Sequence, residues 1–225
     1  MGRDHRGERT LSAGMAALAR RQLEIAAGVG LWALAAFALF SLATWNASDP
    51  SWSFAADTPV ANAMGYPGAV VSDLLMQFFG VAALPALLPL VFWGYARMRA
   101  LYWSHAMRRL ILWPVAAVLT AAAIGCFSVT EHWPLPTGLG GVFGDMLLRV
   151  PGMLSGGYPS GWVRVFAFVL FAPAAAYALA VSCGFLWQTA TAAVDEDADE
   201  ETGLAGRFVF VGAAMHALYT ARAMV

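Results

Sequence analysis

Polar and apolar positions along this chain fall into long blocks. Four stretches carry no charged residue: Ile25–Ser48, Leu74–Ala96, Leu110–Thr130 and Val165–Val194, of 24, 23, 21 and 30 residues. At the rise of an α-helix the first would be about 36 Å long, and a bilayer core is about 30 Å thick, so each run is long enough to cross. The pattern predicts an all-α membrane protein with four transmembrane helices, over about residues 24–46, 73–96, 110–130 and 165–193. Pro85 and Pro89 interrupt the second run, and Pro114 is expected in the first turn of the third, where its missing N–H costs little. Pro173 in the fourth marks either a kink or a helix that starts outside the bilayer. The first run is far longer than the 7–15 apolar residues of a cleaved signal, so it reads as an uncleaved anchor.

The polar zones between the runs are unlike one another. Residues 1–22 form a basic arm with Arg3, Arg6, Arg9, Arg20 and Arg21, and the loop after the second run holds Arg97, Arg99, Arg108 and Arg109. The other two loops hold only Arg149 and Arg164 between them. Positive charge stays on the cytoplasmic side, which predicts both termini and the middle loop inside and two loops outside. Both outer loops are rich in Gly and Pro, and the second predicts a short helix from Gly144 to Val150 that folds back on the bundle. Domain organisation follows: the basic arm at 1–22, a membrane domain at 23–194, and at 195–225 an acidic spacer (Asp195–Glu201) followed by an amphipathic helix. The last residues stop inside a helical pattern with no capping Gly or Pro, which predicts that a longer chain continues beyond them.

Composition narrows the function. Of 225 residues, 60% are apolar and 12% charged, against about 45–50% and 25% in soluble domains, and the mean hydropathy is +0.64. Thirteen basic residues are all arginine; with no lysine, a G-x-x-x-x-G-K-[ST] phosphate loop is excluded from this stretch. His5, His105, His132 and His216 are scattered without the clustering a zinc site needs. Cys126 and Cys183 belong at opposite depths of antiparallel spans, too far apart to bridge. Glu24 and Asp73 sit at span ends and no charge lies at mid-depth, which argues against a proton relay or ion-coupled carrier. No catalytic, cofactor-binding or metal-binding residue is expected in this chain. Small residues along the spans, such as Ala26, Ala27, Gly28 and Gly30, allow close helix approach.

One series of residues carries a more specific signal. Asp49-Pro50-Ser51-Trp52-Ser53 follows the first run, and Asn62, Gly65, Gly68-Ala69 and Asp73 lead into the second, with Leu42-x-x-Trp45 before them. Gly80 lies inside the second run, and Gly140-Gly141-x-x-Gly144 in the second outer loop. In order, spacing and position this series resembles the N-terminal four-span membrane domain of the FtsK/SpoIIIE DNA translocases, over about residues 20–190. The resemblance implies a bacterial inner-membrane, multi-pass domain that anchors a translocase at the division septum, in cell division and chromosome segregation. It implies membrane lipids, other division proteins and further copies of the same chain (a hexamer) as partners. DNA, ATP and Mg would be handled by a C-terminal motor absent from these residues. From the resemblance, the outer-loop residues of interest are Asp49, Pro50, Ser51, Trp52, Asn62, Gly65, Gly68, Asp73, Gly140, Gly141 and Gly144. The competing readings are a small transporter or channel subunit, which predicts polar residues lining a mid-membrane path, and a stand-alone membrane assembly factor. For Asp49-Pro50 the expectation is a turn just outside the first span, with the amphipathic ring of Trp52 at the interface.

Overall fold

The computed structural model describes residues 4–55, 57–101 and 105–185, without side chains for 4–13. The acidic run Asp195–Glu201 and the helix expected after Gly203 lie outside the described residues. All described elements are helical: α1 (Asp4–Ala43), α2 (Gly65–Phe79), α3 (Ala83–Ala86), α4 (Leu88–Met98), α5 (Ala106–Gly125), α6 (Gly141–Gly152) and α7 (Gly161–Cys183), with 3-10 turns at Gly80–Ala82 and Met153–Ser155. Four stretches are long and apolar enough to cross a membrane: Gly14–Ala43, Gly65–Ala86, Ala106–Gly125 and Gly161–Cys183.

Helix α1 is 40 residues long, about 60 Å, and continues back through Arg20 and Arg21 into the basic arm. It stops five residues short of the end of its charge-free run. In its last turn the hydroxyls of Ser41 and Thr44 donate to the carbonyls of Phe37 (2.7 Å) and Phe40 (2.8 Å). Such local bonds compete with the helix ladder, and Asp49-Pro50 prevents its resumption.

The second span is broken at two places. The first break is Gly80, whose positive φ (58°) ends α2; the second is Leu87, between Pro85 and Pro89. Helix α2 also begins at Gly65, so Asp73 lies two turns inside a helix, not at a span end as the charge pattern implied. The helix break at Gly80 has a partner: the Val81 N–H donates to the Leu139 carbonyl of the opposite loop at 2.9 Å. At the second break the Ala86 carbonyl accepts the Trp113 indole N–H at 2.7 Å. Pro114, expected in a first turn, is nine residues into α5, because that helix starts at Ala106 from a left-handed His105 (φ 56°). Helix α7 starts at Gly161, before its charge-free run, and carries Pro173 in its interior.

The most extensive packing joins α5 to α7 and α1 to α4. Both helices of the first pair bury small side chains, Ala116, Ala122, Ala167, Ala175 and Ala178 among them. One core cluster is built from Ala35, Ala38, Leu87, Leu90 and Trp93, the other from Ala122, Cys126, Leu148 and Ala167. Trp93 bridges the two halves: its indole donates to the Ser182 carbonyl (2.8 Å) and its ring meets Trp113 edge-on at 5.3 Å. In the α1–α4 crossing, Gly28 lies against the Gly94 carbonyl, where a Cβ would come within 2.7 Å. At the end of the bundle that holds the arginines, Glu24 pairs with Arg97 at 2.7 Å, and Arg21 donates to the carbonyls of Arg97 (3.3 Å) and Met98 (2.5 Å) at the C-terminus of α4.

Candidate functional site

The residues singled out in the sequence gather at the opposite end of the bundle, in three groups that touch one another. The first is a buried polar knot where the chain passes from α1 to α2. Asn46 accepts the Asp49 N–H (3.1 Å), so the chain turns, and residues 49–53 are non-helical. Asp49 is only 6% exposed, and its two carboxylate oxygens accept the N–H groups of Ala61 (3.0 Å) and Asn62 (2.9 Å). Backbone donors at this spacing satisfy a buried carboxylate without a cation. Asn62 is 4% exposed. Its amide N–H groups donate to the carbonyls of Ser41 (2.9 Å) and Thr44 (3.3 Å) and reach the Ser72 hydroxyl, and its amide oxygen accepts Met64 N–H. A Cβ on Gly68 would collide with that amide oxygen and with Met64, so glycine is required where α2 crosses the knot. Gly65 opens α2 with a φ of 66° and donates its N–H to the Asn62 carbonyl.

The second group is a hydroxyl–carboxylate cluster beside the knot. Asp73 accepts from Ser51 (2.6 Å), from Ser53 and from the Gln77 amide (2.9 Å), which also reaches Ser53. These hydrogen bonds tie the loop to α2. They put two serines on a carboxylate with no imidazole or amine between them, which orients the loop and does not activate a nucleophile. Trp52, between the two serines, points away and is 76% exposed, while Pro50 is half-buried.

The third group is a glycine seat. Gly141 has a φ of 63°, and a Cβ there would lie 2.7 Å from the Gln77 carbonyl oxygen and 2.8 Å from the Gly80 nitrogen. A Cβ on Gly144 would lie 2.6 Å from the Ala121 carbonyl, and one on Gly140 would overlap that same oxygen. So Gly140-Gly141-x-x-Gly144 presses the start of α6 onto the backbones of α2 and α5, and Gly80 receives it from the other side. The short helix expected at Gly144–Val150 is present and longer, from Gly141 to Gly152. Behind the seat, Asp145 accepts the Gly138 N–H (3.0 Å), and the Tyr158 hydroxyl donates to the Gly125 carbonyl (2.8 Å) with Asp145 3.2 Å away. Burial first, and then the Asp145 charge, raise the Tyr158 pKa above the ordinary phenol value.

Between the two loops lies a cleft of about 440 Å³. Ser53, Asp73, Gln77 and Thr137 form its polar side; Phe54, Leu135, Pro136 and Val142 are among its apolar walls. Among the described residues no three His, Cys, Asp or Glu side chains gather to hold a metal, and Cys126 and Cys183 are free and buried. Sequence reasoning missed Ser72, Gln77, Asp145 and Tyr158. The i, i+4 spacing of Asp73 and Gln77 is a legible signal for one of them. Asp145 and Tyr158 have no such signal, because their partners are backbone groups of distant elements.

The family profile described as the 4TM region of DNA translocase FtsK/SpoIIIE matches residues 20–194. The chain is 48% identical over 215 residues to a DNA translocase FtsK of Brucella melitensis, covering 88% of this chain and 26% of the relative. A DNA translocase FtsK of Mesorhizobium japonicum is 52% identical over 159 residues, covering 71% of this chain and 18% of the relative. The chain thus spans about a quarter or less of the length of these curated relatives. No solved structure matches it significantly.

Proposed function

Because the chain belongs to the 4TM region of the DNA translocase FtsK/SpoIIIE family, we propose that it is the membrane anchor of a bacterial DNA translocase, acting in cell division and chromosome segregation. It does no chemistry itself. The remainder of the whole protein carries the ATP- and Mg-dependent DNA pump, and the anchor holds copies of that pump together, as a hexamer, at the division septum. The arginine-rich end faces the cytoplasm, and the two loops joined at the polar knot and glycine seat face outward, toward other division proteins. The observation that carries this reading is the convergence of the Asp49–Asp73 series and Gly140-Gly141-x-x-Gly144 into one end of the bundle, although some seventy residues separate them in sequence. Scattered packing requirements would not need to meet at a single surface.

A fluorescent protein fused to the cytoplasmic end of the chain tests it: the fusion concentrates at mid-cell in dividing cells, and an even distribution around the envelope rejects the septal role. Topology is tested separately. A reporter active only outside the cytoplasm is active when fused at Gly156 and silent at Ser104; the reverse pattern inverts the proposed orientation.

A further inference from the structure

We propose that the cleft between the two loops binds a peptide segment of another protein, with an arginine side chain of that segment paired to Asp73. This rests on the reading of these loops as the partner-facing end. Volume, charge and the chemistry of the walls together favour this occupant. The cleft's volume of about 440 Å³ falls within the range of roughly 300–1,000 Å³ typical of ligand pockets. Its one ionisable lining residue is Asp73, and the loops that frame it, 44–64 and 126–140, carry Asp49, Asp57 and Glu131 with no Lys or Arg.

The Asp73 carboxylate is already held in place. A carboxylate offers about four acceptor positions, and Ser51, Ser53 and Gln77 supply three donors. That leaves room for one more donor on an oriented, half-buried anion, a good site for a guanidinium. Preorganisation lowers the ordering cost of binding. Phe54, Leu135 and Pro136 supply the apolar wall against which the flanking residues of the segment lie. Trp52, exposed beside the two serines, is the residue type most enriched among interface anchors. A phospholipid amine is a poorer occupant, because its phosphate would lie near Asp73 with no lining cation to receive it.

The test uses the full 225-residue chain in phosphatidylcholine nanodiscs, which carry no net charge and no free amine, and two fluorescein-labelled heptapeptides, one with a central arginine among leucines and valines, the other with norleucine in its place. Fluorescence anisotropy on the wild-type chain shows the arginine peptide binding about tenfold more tightly. Asp73→Asn, which keeps acceptors for the serines, removes that preference. Val142→Trp, at a partly exposed wall position, fills the cleft and weakens both peptides by about tenfold; it keeps the test decisive should Asp73→Asn fail to fold. The proposal is overturned by equal binding of the two peptides, by binding of neither, or by an arginine preference that survives Asp73→Asn. It is also overturned if phosphatidylethanolamine nanodiscs abolish the binding, since a lipid headgroup then fills the cleft. Septal targeting of the fusion is a separate readout, so failure here leaves the anchor reading standing, and a diffuse fusion with intact peptide binding rejects only that reading.

Discussion

The loop between α1 and α2 and the loop that leads into α6 reach the same end of the bundle by opposite means. In residues 44–64, side chains do the holding: Asp49 and Asn62 spend their hydrogen-bonding capacity on backbone groups of the loop and of α1. In residues 138–144, the absence of side chains does it, because Gly140, Gly141 and Gly144 let one backbone lie directly on two others. The contrast bears on how each region fails. A polar knot loses its bonds one at a time, each loss leaving a few buried groups without partners while the remaining bonds stay in place. A glycine seat fails all at once, since even one Cβ forces backbone apart.

Substitutions should separate these two ways of failing, the largest effect being at the glycine seat. Gly141→Val meets both a left-handed φ and backbone atoms closer than van der Waals contact, so a loss of about 4 kcal/mol is expected. Equilibrium unfolding of the detergent-solubilised chain measures it; a loss under 1 kcal/mol shows that the seat relaxes and the contrast is false. Asn62→Ala removes the donors to the Ser41 and Thr44 carbonyls, and a loss of about 2–3 kcal/mol follows from leaving buried backbone groups unpaired. The same unfolding assay reads it, and Asn62→Asp, which keeps the Met64 contact but not the amide donors, should recover little.

Tyr158→Phe acts behind the glycine seat. It removes the hydroxyl bond to Gly125, at a cost of about 1 kcal/mol near neutral pH. The folded chain holds the phenol proton more tightly than the unfolded one, so this contribution is full below the unfolded value of 10.0 and is lost as pH rises above it. Wild-type stability therefore falls faster above pH 10 than that of Tyr158→Phe; parallel curves between pH 8 and 11 would refute the assignment. Ser51→Ala is the mildest change: Asp73 keeps Ser53 and Gln77, and about 0.5 kcal/mol is lost. A larger loss would mean that the hydroxyl cluster, and not the Asp49–Asn62 knot, anchors the first loop.

Much of the architecture is written in local pattern. Charge-free runs of more than twenty residues specify spanning helices whatever packs around them, because an unpaired backbone is too costly in hydrocarbon. The turn that ends at Asp49, ahead of Pro50, and the left-handed backbone of Gly141 are likewise local, set by allowed backbone angles and by proline's missing donor, whereas Gly140, with a φ of −88°, needs glycine only because the Ala121 carbonyl lies against it. Other features were decided only when distant segments met. Gly80 breaks the second span because its turn receives Leu139, and no local signal distinguishes it from a glycine that α2 would tolerate. Asp73 ceased to be a boundary residue once α2 began at Gly65, and its role depends on serines that only the folded loop brings to it. Asp145 and Tyr158 became partners through the carbonyl of Gly125 and the N–H of Gly138, groups every residue possesses and no composition reveals. Side-chain chemistry and chain stiffness are properties of neighbours in sequence. Which backbone group lies within 3 Å of which side chain is a property of packing, and there the tertiary structure alone decides.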